Sequence, residues 1–439
     1  MKKMFFFALA AAGMLTACSN EDTLGGNGEQ NVSEQQIRLG VASSKVQTRG
    51  TGTVGGMTDA ENKWAGQTLW VYMLQKGSMD LAYYKAPAVG GVVTPDAKVF
   101  DNKEFKAPNA ADNTNSGLAT TADNTIAYYP VSGNYDFWGY RVDDAAVGGT
   151  PVVKTVDDAG TEVEANAATK RVVDIEIDGS QDIMAGKAAP SADEVTKLGN
   201  YADNFYSAYA ARKGVQPNIT FNHLLTRFTF EVRAGSKATA GLPAGGNTDA
   251  VKVTGVSVGS KTTGTLTVAY TGETKAAADL LTFTGDASAL TLKQRDETVA
   301  DNNAALIDLK PVTLTWPATG EATVGDAIKV GEALLVAPGE TEYPLTINLS
   351  QDVLEKVGEV KVTKPLEQKA TIKMDDTKTF EPGKSYKVTI TVYGLEGIEV
   401  TATLVPWADG GSIDIDDDRN PNEGQYTEPT PATPEPIEP

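Results

Sequence analysis

The sequence predicts an all-β protein built of antiparallel β-sandwiches with minor helix, and three observations carry that prediction. Short runs in which apolar and polar residues alternate recur through the middle of the chain, for example Val251-Lys252-Val253-Thr254-Gly255-Val256-Ser257-Val258. A period of two sends successive side chains to opposite faces of a strand. Gly, Asn and Asp separate the runs, and glycine, at 43 of 439 residues, exceeds its usual share of about 7%. Val and Thr, which pack well on a pleated surface, are plentiful. At about 150 residues per domain, a chain of 439 residues fits two or three domains.

Taken in order, residues 1–17 read as an export signal: Lys2 and Lys3, an apolar run from Met4 to Leu15, then small residues. The run is too short to span a bilayer stably. It closes on Leu15-Thr16-Ala17-Cys18, which resembles the bacterial lipobox, where the cysteine after the cut receives lipid. Cys18 is the only cysteine of the chain, and it stands at the one place that motif requires. Residues 18–49 form a tether and pro-segment. The polar, Gly-rich composition up to about Ser33 buries too little apolar surface to fold, but Ile37, Leu39 and Val41 alternate as a short first strand. Thr48-Arg49-Gly50, among small polar residues, is an accessible site for a protease that cuts after Arg.

Between Gly50 and Trp407 the strand pattern continues in Thr68 to Leu74, Tyr135 to Tyr140, Arg171 to Ile177, Leu225 to Val232, Tyr386 to Val392 and Ile398 to Leu404. Such strands face a core on one side and water on the other, which suits antiparallel sandwiches. Helix is expected only at Asp193 to Leu198 and Tyr201 to Ala211, packed on the side of a sandwich. Strand patterning resumes after Val215-Gln216-Pro217, which places a boundary near Asn222 and gives two sandwiches, residues 50–222 and 223–407.

Residues 408–439 form an acidic, Pro-rich tail. Nine acids stand there against Arg419 alone, a net of −8. The alternating prolines from Pro429 to Pro436 remove the donors a helix or strand needs and favour an extended, polyproline-like chain.

Composition narrows the chemistry. With 38 basic against 58 acidic residues, a net charge of −20, the chain lacks the positive surface that nucleic acid or an anionic membrane demands. One Cys and one His exclude an internal disulfide and a zinc site built from a Cys/His cluster. His223 has no thiol and no Gly-x-Ser-x-Gly elbow to activate, so it reads as a structural histidine bonding backbone at the domain junction. Asp414-Ile415-Asp416-Asp417-Asp418 opens like a calcium loop, but Arg419 stands where glycine is needed and Gln425 where the bidentate Glu belongs. The run is therefore a solvated acidic stretch, and neither a metal nor a cofactor is expected. Any two of the 58 acids close in space could serve glycoside hydrolysis, and the sequence singles out no pair. Trp64, Trp70, Trp138, Trp316 and Trp407 could stack on sugars, although Trp70 and Trp138 sit inside strand runs and read as core.

Several fragments together resemble a family, the fimbrillins or type V pilins of the Bacteroidia. They are the lipobox at Cys18, the pro-segment ending at Thr48-Arg49, the run from Lys63 to Met73, Gln181-Asp182-Ile183-Met184-Ala185 and Phe221-Asn222-His223-Leu224. Ala333 to Pro338, Phe380 to Tyr386 and a closing strand ending at Trp407 complete the set. The resemblance implies two transthyretin-like sandwiches and no enzymatic activity. It further implies a precursor held at the outer membrane through lipid on Cys18 and an Arg-specific cut between Arg49 and Gly50. That cut removes the first strand, matched by Ile37, Leu39 and Val41, and leaves a groove for a strand from the next subunit. The donor it implies is the C-terminal region, where Ile398, Val400, Ala402 and Leu404 alternate and Ile413 and Ile415 continue the pattern. Pro406 and Asp416 to Asp418 depart from a good donor, which leaves an anchor or tip subunit open. The expected partners are other fimbrial subunits, the outer membrane before maturation, and a host or bacterial surface glycan or protein. A surface glycan-binding lipoprotein is the competing class.

Overall fold

The computed structural model describes residues 36–43, 68–84, 97–106, 119–120, 127–142, 144–203, 205–235, 251–272, 275–296, 298, 306–315, 324–353, 362–374, 378–392, 398–405, 412–415 and 424–427. Cys18, Arg49 and Gly50 lie outside them, as do Trp64, Trp316 and Trp407.

In chain order the strands begin with β1 (Gly40–Ser43), β2 (Thr68–Gln75), β3 (Tyr83–Tyr84), β4 (Ala97–Lys98), β5 (Lys103–Lys106), β6 (Ala119–Thr120) and β7 (Tyr135–Val142). After helix α1 (Asp144–Val147) come β8 (Val153–Val156), β9 (Lys170–Glu176) and β10 (Ile183–Lys187). Helices α2 (Ala192–Leu198) and α3 (Ala208–Arg212) precede β11 (Asn218–His223), β12 (Thr226–Ala234), β13 (Lys252–Ser260) and β14 (Thr263–Tyr270). Helix α4 (Ala277–Leu280) leads to β15 (Leu281–Thr284), β16 (Ser288–Thr291), β17 (Lys293–Arg295), β18 (Leu306–Asp308) and β19 (Val312–Thr313). The series closes with β20 (Ile328–Val336), β21 (Glu342–Val353), β22 (Val362–Lys373), β23 (Ser385–Val392), β24 (Ile398–Val405), β25 (Ser412–Ile415) and β26 (Gly424–Thr427).

The fold is all-β, as the sequence predicts. The largest sheet has nine strands in the order β26-β25-β1-β11-β10-β7-β2-β5-β6. A sheet β15-β14-β9-β8 packs on it, and the sheets β20-β12-β23-β24 and β16-β13-β21-β22 enclose a further core. Pairing is mostly antiparallel, with two departures from expectation: β1 runs parallel to β11, and β12 parallel to β23.

The half-solvated strand expected from alternation is found in β12, where Phe228, Phe230 and Val232 are buried and Thr229 and Glu231 half-buried. Strands β2 and β7 differ, being covered on both faces. Leu69, Val71, Met73 and Phe137 enter a first core roofed by residues of the α2–α3 region, Leu198, Tyr206 and Ala210 among them. Trp70, Tyr72, Trp138 and Tyr140 enter a second core shared with Val173 and Leu266 of the neighbouring sheet. The physical reason is the extra layer of helix and loop, which turns a sandwich face into an interior. Trp70 and Trp138 are thus core residues, each 3% exposed.

Helix α2 starts where the sequence places it because Ser191 and Glu194 form a reciprocal capping box. The expected Tyr201 to Ala211 helix shortens to α3, capped by the Ser207 side chain, which accepts from the Ala210 N–H. No helix among the described residues is long and apolar enough to cross a membrane.

Asn222 lies inside β11, and the sheet β15-β14-β9-β8 takes two strands from each side of that residue. Close approach of β11 to its neighbours depends on two glycines. A Cβ on Gly186 would stand 2.0 Å from the Thr220 carbonyl oxygen, and one on Gly139 would stand 2.7 Å from the Phe221 ring. The backbone oxygen cannot yield cheaply, so Gly186→Ala is expected to cost about 1–3 kcal/mol, the scale of an overpacked core. Urea unfolding measures it, and an unchanged midpoint would show that β10 and β11 have room to part.

Candidate functional site: the bed of the first strand

The residues ahead of β1 occupy a built groove. Gln36 bridges Tyr128 in antiparallel fashion, and the Ile37 N–H donates to the Ala127 carbonyl at 2.8 Å. On the opposite side the Arg38 N–H donates to Gln216 Oε1 at 3.1 Å, while Gln216 Nε2 donates to the Gln36 carbonyl at 3.2 Å. Ile37 and Leu39 are 7% and 5% exposed and belong to the first core with Tyr129, Val215, Ile219 and Phe221. Arg38 between them is half-buried. The alternation Ile37/Leu39 therefore does what its period predicts, with apolar residues inward and Arg38 toward the rim.

From Gly40 the segment continues as β1 beside β11, pairing Gly40 with Asn218, Val41 with Ile219, Ala42 with Thr220 and Ser43 with Phe221. The outer edge of β1 receives β25, Val41 facing Ile413 in the register and Ala42 facing Ser412. Strand β25 folds back on β26, setting Asp414 across from Gln425. Of the C-terminal residues singled out in the sequence, Ile413 is thus brought to the first strand, and Ile415, on the same strand β25, pairs with Gly424. Ile398, Val400, Ala402 and Leu404 are placed elsewhere, in β24, which pairs with β23 along its whole length at a sheet edge.

Strand β11 is fixed at its other end by a buried ionic cluster. His223 Nδ1 lies 3.0 Å from the Asp182 carboxylate, and Arg141 Nη1 lies 3.8 Å from Asp182 Oδ2 and donates to the Asp182 carbonyl at 3.2 Å. Met184 sits in register between Arg141 on β7 and His223 on β11. The histidine is buried, and the Asp182 side-chain carboxylate, immediately before β10, is one of its partners. Burial also pushes the hydroxyls of Tyr129 and Tyr206, in the first core, far above the usual phenol value.

Sequence reasoning missed Arg141, Asp182 and Gln216. A signal existed for the first: Asp136 and Arg141 interrupt a run that is otherwise apolar on both faces, and a charge there demands a partner. Asp136 finds one in Lys187 at 3.0 Å.

The chain is an all-β body whose leading segment is bedded in the first core and beside β11. The fimbrillin-like family model matches residues 56–407, and the chain belongs to that family. Membership supports a fimbrial or adhesin role at the cell surface or in a fimbrium, as a structural component in contact with other fimbrial subunits. Among solved structures the chain is similar to a candidate cell adhesion protein from Bacteroides uniformis, with 15% identity over 85% of this chain and 98% of that one and a TM-score of 0.35. It is also similar to a candidate cell adhesion protein from Bacteroides eggerthii, with 15% identity, 86% and 98% coverage and a TM-score of 0.34. A third is the fimbrial anchor protein Mfa2 from Porphyromonas gingivalis, with 9% identity, 85% and 99% coverage and a TM-score of 0.31. Assignment to the family rests on the family match. No curated protein matches the chain.

Proposed function

We propose that this protein is a structural fimbrial subunit, exported as a lipoprotein on Cys18, matured by an Arg-specific cut between Arg49 and Gly50, and assembled by strand exchange. One observation carries the reading. The segment bedded in the first core, Gln36 to Ser43, lies wholly before Arg49, so that single cut frees its covalent tie to the body. Its departure leaves the edge of β11 without ladder partners over Asn218 to Phe221 and uncovers apolar surface around Val215 and Ile219. A strand from another subunit supplies both deficits at once. Because donor and acceptor surfaces differ, the contact is heterologous and propagates as a filament. Cutting after Arg49 removes five basic and four acidic residues and changes the formal charge from −20 to −21, so the mature subunit stays acidic.

The two sandwiches around residue 222 belong to this proposal as its architecture, with the groove in the N-terminal one. A second reading, a non-polymerising anchor or tip adhesin, draws on the pairing of β25 with β1 in the same chain, which keeps the tail at home. N-terminal sequencing of the surface-exposed protein tests the first reading. A mature start at Gly50 is the expected result, and an acylated Cys18 on every molecule would rule out the shaft-subunit version. Immunogold electron microscopy separates the two readings, since a shaft subunit is labelled along filaments and a tip or anchor only at ends.

A further inference from the structure

We infer that Gln216 is a main-chain clamp that holds two successive occupants of the groove, the pro-segment and then residues Ser412–Ile415 of a second copy, running parallel to β11. The inference rests on the strand-exchange reading above for its second occupant.

The argument begins at Val215. Gly40 pairs with Asn218, and the same offset of 178 residues carried back along the parallel ladder sets Val215 across from Ile37. The Val215 N–H is already given to the Ala210 carbonyl at 3.0 Å, so it is not available to the incoming strand. The Gln216 side chain takes its place. In a parallel pair one residue accepts from the N–H after its partner and donates to the carbonyl before it. The Gln216 amide does this around Ile37, accepting from Arg38 N–H and donating to the Gln36 carbonyl. The fixed roles of those two main-chain groups also set the orientation of the amide.

These contacts involve backbone alone, so they read direction and extension rather than sequence. Side-chain selection falls to the positions of Ile37 and Leu39, two apolar residues around a polar one. Gln36-Ile37-Arg38-Leu39 and Ser412-Ile413-Asp414-Ile415 share that pattern position by position. Strand β25 already lies beside β1, antiparallel to it, so occupation of the groove by a second copy in parallel is a different arrangement from the one within the chain.

Hydrogen exchange on the intact precursor tests the first occupant. Gln216→Ala is expected to speed exchange of the Arg38 amide about tenfold, the scale of one or two main-chain hydrogen bonds. Gln216→Glu keeps the acceptor but turns a carboxylate toward the Gln36 carbonyl, and it should do the same. Unchanged exchange in both variants, with the melting temperature preserved, would overturn the clamp. The second occupant is read after Arg-specific cleavage, as SDS-resistant ladders and by cross-linking between copies. Both variants should slow ladder growth by about the same factor. Tyr128→Cys should cross-link to Ser412→Cys, since Ser412 takes the Gln36 position in the parallel arrangement, while Asn218→Cys should not. Cross-linking at 218 instead would overturn the direction, and equal ladder growth in all variants would overturn the role of Gln216 in assembly. Absence of any ladder from the cleaved parent protein would overturn strand exchange itself.

Discussion

Replacing Ile37 and Leu39 together by aspartate is expected to expel the first strand from its bed and to open the groove without any protease. Each side chain is almost fully buried in the first core, and surrendering that burial forfeits about 1.5–3 kcal/mol apiece. A carboxylate at either position cannot return, because an unpaired charge in an apolar core carries a penalty far larger than the lost contact. The hydrogen bonds at Arg38 and Ile37 then break together, since they hold a segment with no remaining apolar anchor. Amide exchange at Arg38 should rise to the rate of an unfolded segment, and on the proposed function the precursor should form ladders with the Arg49–Gly50 bond intact. A double variant that keeps its Arg38 protection and stays monomeric would show that Ile37 and Leu39 do not hold the strand.

Asp182→Ala is expected to cost about 3–5 kcal/mol, the scale of breaking a buried ion pair from one side. Asp182 is fully buried, Arg141 is 2% exposed and His223 5%, so neither the guanidinium nor the imidazole gains water to replace the carboxylate. Asp182→Asn keeps an acceptor for His223 but not the charge, and its cost should fall between the parent and alanine. Urea unfolding gives both values from the midpoint and slope. A loss below about 1 kcal/mol for alanine would assign the cluster no more than a surface pair's worth. The same variant should loosen the first strand, because His223 ends the strand whose other end pairs with Gly40.

Much of the fold was legible in the residues. Period-two runs located β2, β7, β9, β12, β13, β23 and β24, and the stretch Asp193 to Leu198 located α2. The alternation of Ile37, Leu39 and Val41 marked a segment that is bedded in the core at Ile37 and Leu39, although strand pairing starts only at Gly40. Partners were less legible. Val41 meets Ile219 across 178 positions of chain and Ile413 across 372, and alternation within either segment says nothing of the other. The two family fragments around Asp182 and His223 could be recognised separately, but their lying on neighbouring strands and sharing a side-chain hydrogen bond follows only from the β10–β11 register.

The split of the C-terminal region has the same origin. Ile398 to Leu404 and Ile413 to Ile415 look alike as sequence, both being apolar at every second residue. Strand β23 is adjacent and antiparallel to β24 and takes up its whole length, whereas β25 joins a different sheet at β1.

The sequence by itself determined the chemistry the chain can do and the faces its strands present. Backbone geometry fixes a period of two, and a single cysteine and a single histidine limit reactive groups, wherever the chain goes. Only the tertiary structure decided which faces are covered twice, which strands run parallel, and that the Gln216 amide supplies, beside Ile37, the donor that the Val215 N–H gives to Ala210 instead. Those outcomes depend on contacts between residues far apart in the chain, where packing and hydrogen-bond satisfaction select the partner and local pattern does not.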